Sequence, residues 1–317
     1  MTTTRLWRGT RVVQRRAACI ALAGIAWLLG ACAHVQPPPD AWHAWRRHRA
    51  EDIGGPKGWA SLAGLHWLQP GRHSIGADAR SDIRLPAQAA PDAVGTLTFA
   101  AGRVAFEPGL KGGSRVGGHP IPAGAAMDLA PDNPGPATFV ESGRLTWWIL
   151  ARGDRRAVRV RDPDGPGRRG FHGIRVFPYD PALRVEARFV PFPSPETIPI
   201  QDVTGNIAME TAPGVLVFEV GGVAARLTPV EDREAKDWFI NFRDGTSGRG
   251  TYPGGRFLHV PRAGADGRVI LDFNFAYNPP CAFTPFATCP VPPRVNWLAV
   301  PLRAGERFDG HDPAGKP

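Results

Sequence analysis

The residues best placed to do polar chemistry lie in the last third of the chain. Thr251-Tyr252-Pro253-Gly254-Gly255-Arg256-Phe257-Leu258 is followed, after an Ala265-Asp266-Gly267 turn, by Leu271-Asp272-Phe273-Asn274-Phe275-Ala276-Tyr277-Asn278. If Gly255–Val260 and Arg268–Phe275 pair as a hairpin about Ala265, Leu258 faces Asp272 and Arg256 faces Asn274. Arg256, Asp272 and Asn274 then share one sheet face, and Phe257, His259, Leu271, Phe273 and Phe275 form the core face. A slip of one residue separates Arg256 from Asp272. Tyr252, Tyr277 and Asn278 join from the adjoining turns. Two readings compete for this cluster. In one it binds a polar ligand such as a sugar or carboxylate, with Arg256 as a two-pronged donor and Asp272 as acceptor or base. In the other, Arg256 and Asp272 are an ion pair that bolts the Pro-rich C-terminal loop to the sheet, with Asn274 and Asn278 offsetting desolvation.

Two cysteines follow, Cys281 and Cys289, flanked by Pro280 and Pro290. In an oxidising compartment a disulfide is the first expectation, and a free pair the alternative. No further spaced His or Cys completes a metal site, and no cofactor is implied. The Gly-x-Ser-x-Gly elbow, His-Glu-x-x-His, phosphate-loop and dinucleotide patterns are absent from the sequence. Whether the chain is an enzyme is left open by its residues. A binding or envelope-interaction role leads, and a hydrolase with its pocket around Arg256 and Asp272 is the alternative.

The elements that must position these residues read as β-structure. Hydrophobic residues make up 43% of the 317, enough to build a core. Gly 38 and Pro 34 break the chain too often for a helical bundle. Short apolar runs alternate with turn clusters about every ten residues, the all-β pattern. A short helix over Ala41–Asp52, capped by Asp40, is the exception. The boundary between two β-rich domains is placed at Phe177-Pro178, giving 41–177 and 178–317. Seven arginines fall between Arg152 and Arg169. One reading is an anion-binding strip; in the favoured one, strand alternation in Val158-Arg159-Val160-Arg161 puts the valines inward and the arginines in water.

The N-terminus carries an address. Arg5, Arg8, Arg11, Arg15 and Arg16 precede an apolar run from Ala17 to Ala31, shorter than a bilayer span. Leu29-Gly30-Ala31-Cys32 resembles the lipobox of bacterial lipoproteins. The resemblance implies cleavage of residues 1–31, acylation of Cys32 and lasting attachment to the membrane through several acyl chains. With Ala33 after the cysteine, it implies the outer membrane. Residues 32–40 then serve as a Pro-rich spacer. Without the leader the net charge falls from +9 to +4, which removes the basic field that nucleic-acid binding needs.

Two further resemblances follow from longer stretches. Ile75-Gly76 with Ser81-Asp82-Ile83-Arg84-Leu85 looks like the opening of a forkhead-associated β-sandwich. Ala77 stands where that family has a phosphate-binding Arg, so the resemblance implies the sandwich without phosphopeptide binding. Gly58-Trp59-Ala60-Ser61-Leu62, the Thr251–Leu258 segment and Asp272-Phe273-Asn274-Phe275-Ala276-Tyr277-Asn278-Pro279-Pro280-Cys281-Ala282-Phe283 resemble the bacterial domain-of-unknown-function family numbered 1684. Phe275 departs from it at a position where a basic residue is expected. The implied architecture is an N-terminal sandwich and a C-terminal antiparallel sheet or barrel.

Overall fold

The breakers dictate what forms. Most strands are short, two to eight residues, with two strands of 18 and 14 residues as the exceptions, and positive-φ glycines close many of the turns between them. The computed structural model describes residues 39–111, 113–232 and 236–310. The leader, Cys32 and nearly all of the spacer lie outside the described residues.

A helix, α1 (Asp40–Gly54), opens the described chain. It runs two residues beyond the expected end, and Asp40 sits in its first turn with Pro39 before it. The strands of the first half are β1 (Leu62–Trp67), β2 (Gly71–Gly76), β3 (Ile83–Arg84), β4 (Gly95–Ala100), β5 (Arg103–Pro108), β6 (Arg115–Val116), β7 (His119–Pro120), β8 (Met127–Asp128), β9 (Val140–Ser142), β10 (Leu145–Arg152) and β11 (Arg155–Arg161). They form two sheets, ordered β1-β11-β10-β9-β6-β7 and β3-β2-β4-β5-β8. Ile75, Leu97 and Phe106 from one sheet pack with Trp147, Ile149 and Val160 from the other in a single core. This is the expected sandwich.

The second half contributes β12 (Arg184–Gln201), β13 (Ile207–Val220), β14 (Val223–Leu227), β15 (Val230–Glu231), β16 (Trp238–Phe242), β17 (Arg256–Val260) and β18 (Arg268–Asp272). Its sheets are β14-β13-β12-β18 and β15-β16-β17. Leu216, Phe218 and Leu271 pack with Ile240, Phe242, Leu258 and Val260 in a second core. The molecule is therefore mostly β, antiparallel in almost every pairing, with little helix. The described residues make one compact unit holding both cores.

The hairpin expected between β17 and β18 does not form. β17 pairs with β16, Phe242 opposite Arg256, and β18 pairs with β12, Arg184 opposite Asp272. The two strands join different sheets. The register also reverses the faces of β17. Arg256, Leu258 and Val260 point into the core beside Ile240 and Phe242, while Phe257 and His259 lie on the other face with Phe239.

The arginine strip departs from expectation as well. Val158 and Val160 do face the first core, but Arg159 is buried and Arg161 half-buried. The outer face of β11 is covered by the second half: Arg159 and Arg152 both donate to Thr288 Oγ1, at 3.2 and 3.1 Å. Arg155 donates to Thr204 O at 3.0 Å, in the β12–β13 turn. A second covering element is α1, which packs on the second half, with Trp42 Nε1 donating to Asn274 O at 3.1 Å.

Candidate functional site

Between the halves lies a cleft of about 690 Å³. The first half supplies Trp59, Asn133 and Arg152, and α1 supplies Arg49. From the second half come Asp202, Glu210, Asp232, Phe239, Phe257, His259, Tyr277 and Thr288. Strand alternation explains the floor. Phe239 on β16 and Phe257 and His259 on β17 share the face turned away from the second core, and Phe239 and Phe257 meet edge-on, ring centres 4.9 Å apart. The Tyr277 backbone pairs with Phe257, bringing its ring flat against His259, 5.9 Å between centres at 7°.

Arg49 is fixed above that stack. Its guanidinium lies 4.5 Å from the Tyr277 ring centre. Its Nε donates to Glu306 Oε1 at 3.0 Å, and its Nη2 to Asn278 O at 3.3 Å. Glu306 is fully buried, and its other oxygen accepts the Asn278 N–H at 2.8 Å. Burial raises the Glu306 pKa, with Arg49 opposing that shift. Gly305 makes the placement of Glu306 possible. Its φ is +71°, and a Cβ there would overlap the Ala276 carbonyl.

His259 has its Nδ1 3.7 Å from Asp232 Oδ2. Burial lowers its pKa below the ordinary 6.5, so the imidazole is neutral at neutral pH. Burial likewise keeps Tyr277 protonated. Arg152, on the opposite wall, lies 3.3 Å from Asp132. The cleft thus presents guanidinium donors, carboxylate acceptors, a neutral imidazole, a phenol and aromatic surface together. Among the described residues, no three His, Cys, Asp or Glu side chains gather as a metal ion would require.

The cluster expected from the sequence is dispersed. Arg256 is wholly buried, and its partner is Asp244, at 2.8 Å with both side chains buried. It also donates to Leu302 O at 2.9 Å and to Ala304 O. Asp244 in turn accepts from Thr246 N and Oγ1 at 2.7 and 2.6 Å and from Leu302 N at 3.2 Å. Arg256 and Asp244 tie the C-terminal segment to β17, and Asp272, the partner expected from the sequence, lies by Arg184. Asp272 instead receives the Asn274 N–H and Nδ2 at 3.1 and 2.8 Å and the Tyr179 hydroxyl at 3.3 Å. Those bonds turn Phe273–Phe275 into a 3-10 helix where a strand was expected.

Asn274 is buried and bonded to the Asp180 backbone through both side-chain atoms, each at 2.8 Å. Asn278 holds Glu306 and Arg307 O. Tyr252 donates to Cys281 O at 3.3 Å and packs edge-on against Phe308. Of the six candidates only Tyr277 lines the cleft. Sequence reasoning missed Arg49, Asp232 and His259. The last had a signal, since it alternates with Phe257 along one strand.

Residues 169–307 match the family described as "Protein of unknown function (DUF1684)". The C-terminal half of the chain belongs to the DUF1684 family. That segment contains every cleft residue supplied by the second half. An uncharacterized protein of Haloarcula marismortui, solved by NMR, is 34% identical over 47% of this chain and 84% of its own, with a TM-score of 0.40. The FHA1 domain of yeast Rad53 matches 36% of this chain and 65% of its own at 10% identity, with a TM-score of 0.19. No curated protein is significantly similar to the chain.

Proposed function

We propose that this DUF1684 protein is a lipid-anchored envelope protein, held through Cys32 at the outer membrane, that binds a small polyhydroxy ligand of the sugar class in the cleft between its halves. One observation carries the ligand reading: Arg49, clamped by buried Glu306, stands over the Tyr277–His259 stack in a cleft that also offers Asp202, Glu210 and Asp232. A sugar needs donors, acceptors and an apolar surface at once, and a simple anion would not need the carboxylates. The volume lies in the range of small-molecule sites.

The test is a thermal-shift screen of the full chain in detergent against envelope sugars, peptidoglycan fragments and organic acids. A sugar or glycan fragment should raise the melting temperature, and the shift should vanish in Trp59→Ala and His259→Ala variants with unchanged circular dichroism. If only organic acids shift it, or the variants respond like the native chain, the sugar reading is wrong. A second reading, a hydrolase, rests on neutral His259 beside Asp232, a pair able to take a proton from water. It requires turnover of chromogenic esters or glycosides that His259→Ala abolishes.

A further inference from the structure

Behind the cleft wall a buried cation lacks a carboxylate. Arg159 has 4% of its surface exposed, and burial lowers its pKa to about 10. It donates through Nη2 to Thr288 Oγ1, and its Nε has no hydrogen-bond partner. Asp132, the nearby acid, pairs with Arg152. An uncompensated buried guanidinium is costly.

Two thiols lie on the segment that brings Thr288 to Arg159. Cys281 is half-buried and Cys289 buried, both free, and both lie within the electrostatic reach of Arg159. The Cys281 N–H donates to Cys289 Sγ at 3.1 Å, so the side chains are adjacent. Their environments differ. Burial pushes the Cys289 thiol up, while hydrogen bonding from Cys289, aided by Arg159, draws Cys281 down against burial and Asp202. One sulfur is suited to attack and the other to wait as a thiol, the division of labour of an exchanging dithiol.

We propose that Cys281 and Cys289 are a redox-active dithiol in which Arg159 is the counter-charge of a nucleophilic Cys281 thiolate, and that its co-reactant is a low-molecular-weight disulfide. The Cys281 sulfur attacks one sulfur of the small disulfide. That S–S bond breaks, and the first small thiol leaves with a proton. Cys289 then gives up its proton and attacks Cys281 Sγ, expelling the second small thiol. One small disulfide is reduced to two thiols, and two protein thiols are oxidised to one disulfide. This differs from a permanent structural bridge, and it does not depend on what the cleft binds. Cys281 is the less buried of the two residues, which assigns it the attack on the small disulfide.

The experiment uses the full chain carrying Cys19→Ser and Cys32→Ser, so that these are its only cysteines. The reduced protein is exposed to oxidised glutathione and followed by intact mass. The pair should lose two hydrogens and retain no glutathione. Cys289→Ser should trap one glutathione on residue 281, and Cys281→Ser should react about tenfold more slowly or less. In the Cys289→Ser background, alkylation of Cys281 should have its pH midpoint below the ordinary thiol range. Arg159→Met should raise that midpoint by about one unit, and Arg159→Lys should restore most of it. Glutathione trapped on Cys289, an ordinary midpoint for Cys281, or a bridge that excess reduced glutathione cannot open would overturn the proposal. If Arg159→Met does not fold, the trapping and the native midpoint still decide.

Discussion

Two aspartates that look alike in the sequence do different work. Asp244 is the buried counter-charge of Arg256 and holds three further hydrogens, from Thr246 and Leu302. Removing it takes from the buried guanidinium its one directly paired carboxylate and leaves its hydrogen bonds to backbone carbonyls. Asp244→Ala should therefore cost roughly 3–5 kcal/mol of stability. Asp272 is partly exposed and organises one 3-10 turn, so Asp272→Ala should cost about 1 kcal/mol. Urea denaturation of the two variants measures the contrast, and equal losses would contradict the assignment of Asp244. That Arg256 needs a carboxylate was legible from its type in an apolar strand. Which carboxylate was not, because Asp244 and Asp272 lie at similar separations from it along the chain and only the strand pairing chooses between them.

At the scale of elements, the periodicities that depend on neighbouring residues were readable. The alternation Val158-Arg159-Val160-Arg161 falls inside β11, and its valines face the first core as that alternation places them. The pairing of β17 was not readable, since its local sequence suits a hairpin with β18 as well as the observed ladder with β16. The same gap misplaced Arg159. Alternation gives its face correctly, but whether that face meets water depends on a loop more than a hundred residues later. The segment Leu302–Glu306 shows how such distant pieces serve the cleft. It receives Arg256 at Leu302 and Ala304, turns at Gly305, and delivers Glu306 to Arg49. Gly305→Ala must leave φ +71° or collide with the Ala276 carbonyl. It should destabilise the protein by about 2 kcal/mol or more and weaken whatever ligand Arg49 holds. Denaturation together with titration of a ligand found in the screen tests both effects, and a variant with native stability would show that the turn tolerates a side chain.

For the whole molecule, the two cores are built, among the described residues, from Leu68 onward, and Trp42 adds a buried hydrogen bond to Asn274 O. On the lipoprotein reading proposed above, the body is expected to fold on these two cores, and the leader serves export and tethering. Its five arginines face no acid, its apolar run is too short to span comfortably, and it ends at Cys32. In the proposed lipoprotein, acylation at that thiol is the attachment. Cys32→Ser should abolish palmitate labelling and move the protein from the membrane to the soluble fraction. Its circular dichroism and melting temperature should match those of the acylated chain. Normal labelling of the variant would remove the anchor, and with it the outer-membrane placement. A soluble but unfolded variant would show instead that the body depends on its N-terminal segment, against the closure of both cores downstream of it.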